Sequence, residues 1–171
     1  MIYLINWQYY PKSDKITVHL IQVVRTFEEN EEFITSSKNK LNSDGVLTFL
    51  KKSLIEQGFE VEKSKKGLDK IRVPVLFGMN GKVERSFDAD AYNKITKTVI
   101  EVEAGRAVTN YQFLKDLFEA CVMHDVEYLV IAVRKNYRGN PDFEKIVSFF
   151  NTLYSSQRLQ LPLNGVLVIG Y

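Results

Sequence analysis

The sequence predicts an α/β fold, a mixed sheet flanked by helices, and three observations predict it. Stretches rich in β-branched and aromatic residues alternate with stretches whose apolar residues recur at helical spacing. Asn80-Gly81 stands between two strand-like runs, and both central residues of a type I′ turn need positive φ, so a hairpin is expected there. The run Glu127–Val133 is short and almost continuously apolar, as a strand covered on both faces must be.

In chain order, residues 2–9 read as a strand, Pro11-Lys12-Ser13-Asp14 as a turn and residues 16–24 as a second strand. The chain is therefore expected to begin with a β-hairpin, with His19 as a packed or edge residue inside it. Thr26 is placed to cap a helix from Phe27 to about Leu41, and Glu28, Glu29, Glu31 and Glu32 in its first turns complement the helix dipole. Ser43-Asp44-Gly45 opens another helix. Val46, Leu47, Phe49, Leu50, Leu54 and Ile55 form its apolar face, and Gly58 ends it. The basic run Lys63-Ser64-Lys65-Lys66-Gly67, with Lys70 beyond, reads as a solvated loop or a loop that contacts phosphate.

Residues 71–77, 82–92 and 97–103 read as a three-strand meander, its second turn at Asn93–Thr96. Thr109-Asn110 is placed to cap a helix through about His124, with Phe113, Leu114, Leu117, Phe118, Cys121 and Val122 on its apolar side. The strand Glu127–Val133, a polar loop at Arg134–Asn140, a helix with Pro141 in its first turn and a strand at Leu163–Ile169 complete the chain. No repeat, low-complexity tract or linker divides it, so residues 1–171 are expected to form one domain.

Composition narrows the function classes. The 171 residues suffice for a sizeable core, and 45% hydrophobic with 26% charged residues is ordinary for a globular chain. A net charge of +2 does not by itself name a nucleic-acid partner, so local clusters must carry that argument. The single cysteine, Cys121, excludes an internal disulfide and a multi-cysteine zinc site, and its place on an apolar helix face reads as a buried, inert thiol. Neither a membrane-length apolar run nor a signal peptide is read, and a cytoplasmic protein is expected.

The chemistry concentrates in two acidic clusters. Period-2 alternation puts Asp88, Asp90 and Tyr92 on one face of their strand, and Glu101 and Glu103 on one face of the next. If the strands pair across Asn93–Thr96, Asp90 and Glu101 converge. Carboxylates gathered on one surface repel, and a hard cation resolves the repulsion. Mg²⁺ takes octahedral oxygen ligands at about 2.0–2.1 Å, commonly one or two carboxylates with water and phosphate. The bland alternative is a solvated acidic face balanced by Lys82, Arg85, Lys94 and Lys97. A glycosidase carboxylate pair would want aromatic and amide neighbours that this stretch lacks.

The run Asp90-Ala91-Tyr92, followed by Thr98-Val99-Ile100-Glu101-Val102-Glu103, resembles the PD-(D/E)XK, or restriction endonuclease-like, nuclease superfamily. The element order α-β-β-β-α-β over about residues 44–133 resembles its core, with the N-terminal segment 1–42 and the helix and strand in 141–170 as additions. Glu103 stands where most members have lysine. In that respect the chain resembles restriction enzymes of the BamHI and BglII type. The resemblance implies a Mg²⁺-dependent endodeoxyribonuclease, with Mn²⁺ as substitute, that acts as a homodimer on DNA and needs no organic cofactor. It implies Asp90 and Glu101 as metal ligands, with Asp88 as the alternative to Asp90, the Val102 carbonyl as a further ligand, and Glu103 as the group that orients or deprotonates the attacking water. The lysine's task falls to Lys97, Arg106 or Lys115, and a supporting acid from the first core helix would be Glu56. A catalytically inactive nucleic-acid-binding or assembly module is the second reading, kept open by Glu103.

Arg134-Lys135-Asn136-Tyr137-Arg138 follows the central strand with cations, an amide and an aromatic, and these side chains suit phosphate and base edges. Arg106 and Asn110 lie just past the acidic strand. Together with Lys65 and Lys66 they make up the expected DNA-binding set.

Overall fold

The computed structural model describes residues 4–64 and 66–171. Lys65 and the first residues of the expected strand at 2–9 lie outside the described residues. The elements are β1 (Asn6–Tyr10), α1 (Val18–Glu29), α2 (Glu31–Ile34), α3 (Ser43–Glu56), β2 (Glu60–Val61), β3 (Ile71–Phe77), β4 (Val83–Ala89), β5 (Ala91–Asn93), β6 (Thr98–Glu103), α4 (Gln112–Val122), β7 (Tyr128–Val133), α5 (Asp142–Ser156) and β8 (Gly165–Gly170).

The fold is α/β. Six strands form a mixed sheet in the order β1-β8-β7-β6-β5-β2. At its centre β6, β7 and β8 run parallel, with Glu101 opposite Ile131 and Ile131 opposite Val168. Strand β7 is buried on both faces, which its unbroken apolar run requires, and Leu129 through Val133 are fully buried. One face packs against α1 and α3 through Leu20, Val24, Leu50, Ile100 and Val102. The other packs against α4 and α5 through Val99, Phe113, Leu117, Ile146 and Phe150. No helix among the described residues is long and apolar enough to cross a membrane.

Four expectations need correction. Among the described residues there is no N-terminal hairpin: β1 pairs antiparallel with β8, and residues 18–24 are helical. The β-branched residues there suggest a strand. However, Leu20, Val23, Val24 and Phe27 recur at i, i+3, i+4 and i+7, and burial of that stripe outweighs propensity. His19 accordingly lies on α1, its ring edge-on to Tyr128 at 4.8 Å.

Second, Thr26 is not a cap but a buried residue inside α1, accepting from Gln57 Nε2 at 2.7 Å. The helix stops at Glu29, so Glu28 and Glu29 sit at a C-terminal end and only Glu31 and Glu32 occupy a first turn. Third, the meander is divided. The Asn80-Gly81 turn forms with both residues at positive φ, but β3 and β4 make a separate two-stranded ribbon. The chain bends at Asp90 before β5 joins the main sheet, where the short, unanticipated β2 pairs with it. The ribbon lies over α4: the His124 N–H donates to the Pro74 carbonyl at 2.7 Å and the His124 ring meets Phe77 at 5.0 Å. His124 thus anchors the ribbon.

Fourth, α4 is rotated and differently capped. Its buried stripe is Phe113, Asp116, Leu117 and Ala120, whereas Phe118 is 61% exposed. Tyr111, in left-handed conformation, occupies the capping position in place of Thr109-Asn110. Cys121 is half-buried, and burial pushes its thiol upward, as an inert thiol requires.

Candidate active site

The acidic site is built where β5 stops. Ladder pairing of β5 with β6 ends at Ala91 opposite Ile100. Where the next backbone pair would lie, the Asp90 carboxylate takes over, and its Oδ2 accepts the Val102 N–H at 2.8 Å. The Asp90 carbonyl accepts from the Glu62 N–H at 2.8 Å, so β2 holds the bend from the other side. Both peptide groups of one strand residue point to the same side. The Val102 carbonyl is therefore turned toward the Asp90 gap and away from β7.

Glu101 follows by alternation. Ile100 and Val102 point into the α1/α3 core, so Glu101 and Glu103 point to the α4 face. Asp116 comes toward them from the buried stripe of α4. Asp90, Glu101 and Asp116 are only 7%, 8% and 3% exposed. Gln112 Nε2 donates to Asp116 Oδ1 at 3.3 Å, and the Asp116 carboxyl also hydrogen-bonds with the Glu103 side chain. No N–H or hydroxyl donor among the described residues reaches Asp116 Oδ2.

The electrostatics follow from this burial. Burial, first, and then the charges of Asp90, Asp116, Glu103 and Glu119 push the Glu101 carboxyl well above the usual carboxylate range. Burial pushes Asp116 up to about 7, against the lowering effects of its bond with Glu103 and the Lys115 charge.

Two adjoining cavities meet at this point. The first, of about 360 Å³, is lined by seven carboxylates (Glu62, Asp88, Asp90, Glu101, Glu103, Asp116 and Glu119) against Lys70, Arg106 and Lys115. The second, of about 1030 Å³, reverses the balance. Lys40, Arg106, Arg134 and Arg138 line it, and Glu103 is its one acid among the described residues. Ser43, Glu103, Gly105 and Arg106 line both.

Gly105 is needed at the junction. Its φ is +150°, and a Cβ there would lie 2.6 Å from the Tyr137 ring. Gly105→Ala is expected to displace Tyr137 and cost about 2 kcal/mol. A melting curve should show this as a Tm lower by roughly 4–8 °C.

The remaining sequence candidates divide. Asn110 and Lys115 line the acidic cavity, and Lys115 Nζ stands 3.5 Å from Glu119. Asp88 also lines it, but the bend separates Asp88 from the strand face of Asp90, and Lys70 holds it at 2.7 Å. Lys97 is at the opposite end of β6 from Glu103, bound to Glu127 at 2.8 Å and Asp125 at 3.1 Å. It cannot take over the lysine's task. Glu56 ends α3 and lines a separate depression with Gln22 and Arg25, away from the acids. Lys66 lines neither main cavity. Lys135 points elsewhere than Arg134 and Arg138, and its N–H donates to the Tyr171 carbonyl at 3.0 Å.

Sequence reasoning missed Asp116, Glu119, Glu62 and Lys40. Asp116 carried a signal: it is the charged residue in the stripe Phe113, Asp116, Leu117, Ala120. Glu62 and Lys40 carried none, because loop and bend geometry brings them in.

Among the described residues, no three His, Cys, Asp or Glu side chains are grouped so as to hold a metal ion unaided. Two carboxylates and one carbonyl with water and phosphate is nonetheless a set that Mg²⁺ accepts. Asp90, Glu101 and the Val102 peptide are gathered in that way. The Glu101 carboxyl, raised by burial and by its acidic neighbours, and Asp116 Oδ2, which has no hydrogen-bond partner among the described residues, are compatible with a cation in this cavity. Comparison with protein-family models, curated proteins and solved structures found no match to this chain.

Proposed function

We propose that this chain is a Mg²⁺-dependent endodeoxyribonuclease with a restriction-endonuclease-like core, acting on DNA as a homodimer. The observation that carries the reading is the break at Asp90. There a strand gives way to a buried carboxylate beside Glu101, on the rim of a cavity that opens into a cationic one. Taken with β4 and β5 as one strand bent at Asp90, the elements α3, β3, β4–β5, β6, α4 and β7 run α-β-β-β-α-β, which supports the reading, although β2 is an extra strand and the meander is divided between two sheets.

Asp90, Glu101 and the Val102 carbonyl would hold the ion, which when bound lowers the pKa of a water and offsets charge on the phosphate. Glu103 sits between the acids and the cationic cavity. Its carboxylate accepts the proton of the attacking water, and Asp116 orients it through their close contact. Arg106 and Lys115, on the cavity rim, bind the phosphate's non-bridging oxygens and orient the scissile bond.

The test is cleavage of a supercoiled plasmid with Mg²⁺ or Mn²⁺ by the wild type, Asp90→Ala and Glu101→Ala. Cleavage by the wild type, lost in both variants, supports the reading. DNA binding with no cleavage by any of the three points to an inactive binding module instead. Cleavage that survives both substitutions overturns the assignment of the acids.

A second test separates the two lysines. Lys115→Ala is expected to lower kcat by about 10–100-fold, since it removes a cation at the cavity rim. Lys97→Ala should leave kcat unchanged, because that side chain belongs to the Asp125–Glu127 ion pairs.

A further inference from the structure

We propose that the second cavity is a binding groove for the DNA sugar–phosphate strand on one side of the scissile bond, and that the loop between α2 and α3 forms its outer wall. The proposal rests on the nuclease reading for the position of the bond, but the groove is argued from its own residues. Three chain segments build it, residues 36–43, 103–106 and 134–138. They bring Lys40, Arg106 and Arg138, all exposed, to one space with Arg134 at the wall.

Two of the arginines are held in place. The guanidinium carbons of Arg138 and Arg134 lie 5.3 and 5.7 Å from the centroid of the Tyr137 ring. That ring rests against Gly105. Arg106 and Arg138 both adopt left-handed backbone, at φ 64° and 50°, which is costly for a residue with a side chain and collects at binding sites. Arg134 also donates to the Leu41 carbonyl, and Ser36 Oγ donates to the Tyr171 carbonyl, so the α2–α3 loop is tied to the end of the sheet. Arg134 is thus a positioning residue, while Lys40, Arg106 and Arg138 face the groove.

The ligand class follows from charge and size. Guanidinium and ammonium groups gathered against one acid select a polyanion, and guanidinium suits phosphate oxygens in pairs. At about 1030 Å³ the space exceeds what a lone phosphate needs. Its shared wall with the acidic cavity lets a continuous strand pass from one to the other. Nothing in the sequence marked Lys40 for this role.

The test is fluorescence anisotropy of a labelled DNA duplex in EDTA across a salt series, so that binding is read without cleavage. The double variant Lys40→Ala/Arg138→Ala is expected to bind at least about 10-fold more weakly, with the slope of log K against log salt reduced by about 2, one per cation removed. Lys52→Ala, on the exposed surface of α3, removes one positive charge elsewhere and should leave the slope unchanged. An unchanged slope in the double variant, with its Tm retained, overturns the groove. A reduced slope in a protein that never cleaves DNA upholds the groove and rejects the nuclease reading. Wild-type cleavage with an unchanged slope does the reverse.

Discussion

Glu101→Gln is expected to stop Mg²⁺-dependent cleavage and, in the same protein, to raise the stability of the metal-free form at pH 8. The two effects have one cause. Glu101 is 8% exposed, and its charge is opposed by burial and by Asp90, Asp116, Glu103 and Glu119. Glutamine keeps the volume and removes the charge. The folded chain then neither buries that charge nor retains a proton on it at pH 8, a gain of roughly 1–3 kcal/mol, the scale of one unsatisfied buried group. Cleavage should fall by about 10³-fold or more, since a neutral amide is a poor ligand for a hard cation. Thermal melts in EDTA and plasmid cleavage in Mg²⁺ measure the two halves. A Gln variant that melts lower than wild type would show Glu101 to be a structural acid with a partner, and the site assignment would fail with it.

How far the sequence reveals this arrangement depends on which force sets each part. Strands β6 and β7 and helix α3 were legible because pattern and burial largely agree there, although Phe49 and Ile55 of the expected α3 face are exposed. Strand β7 is apolar and is fully buried from Leu129 to Val133. Residues 16–24 were misread because propensity and periodicity conflict, and the stripe from Leu20 to Phe27 decides. Asp90 and Glu101 were legible as neighbours, since simple antiparallel register places them side by side. The bend at Asp90 was not, because it arises when a side chain replaces a backbone acceptor for the Val102 N–H. Lys97 and Glu56 failed as candidates for a related reason. Both are near the acids in sequence or element order, yet strand length carries Lys97 about 13 Å from Glu101 and Glu56 lies in a different depression. Asp116 shows that a charged residue in an apolar stripe deserves as much attention as a motif. It breaks the stripe of α4, and it faces Glu103 across the cavity.

Asp116 also sets the direction of the pH dependence. Metal-free protein is expected to lose stability as pH rises from about 4 to about 7, a trend opposite to ordinary acid denaturation. Burial pushes Asp116 from its usual 3.8 up to about 7 in the folded chain, so between those values the native state holds a proton that the unfolded state has released. Stability falls with rising pH wherever the native state binds more protons. This contribution is therefore fully present below about pH 4 and gone above about pH 7, a difference on the order of 4 kcal/mol. Glu101, raised in the same sense, adds to it. His19 opposes it, because burial lowers its pKa and stability is lost as pH falls through that range. Asp116→Asn should flatten the profile, and His19→Gln should steepen it. Saturating Mg²⁺ should flatten it as well, because a cation beside these carboxyls favours their charged forms and offsets the penalty. Urea titrations between pH 4 and 8, with EDTA or Mg²⁺, measure all four curves. If Mg²⁺ leaves the wild-type slope untouched while Asp116→Asn removes it, the carboxyls share protons but hold no cation. Restoration of stability by Mg²⁺ in the wild type, and its loss in Glu101→Gln, ties the proton and the metal to the same buried acids.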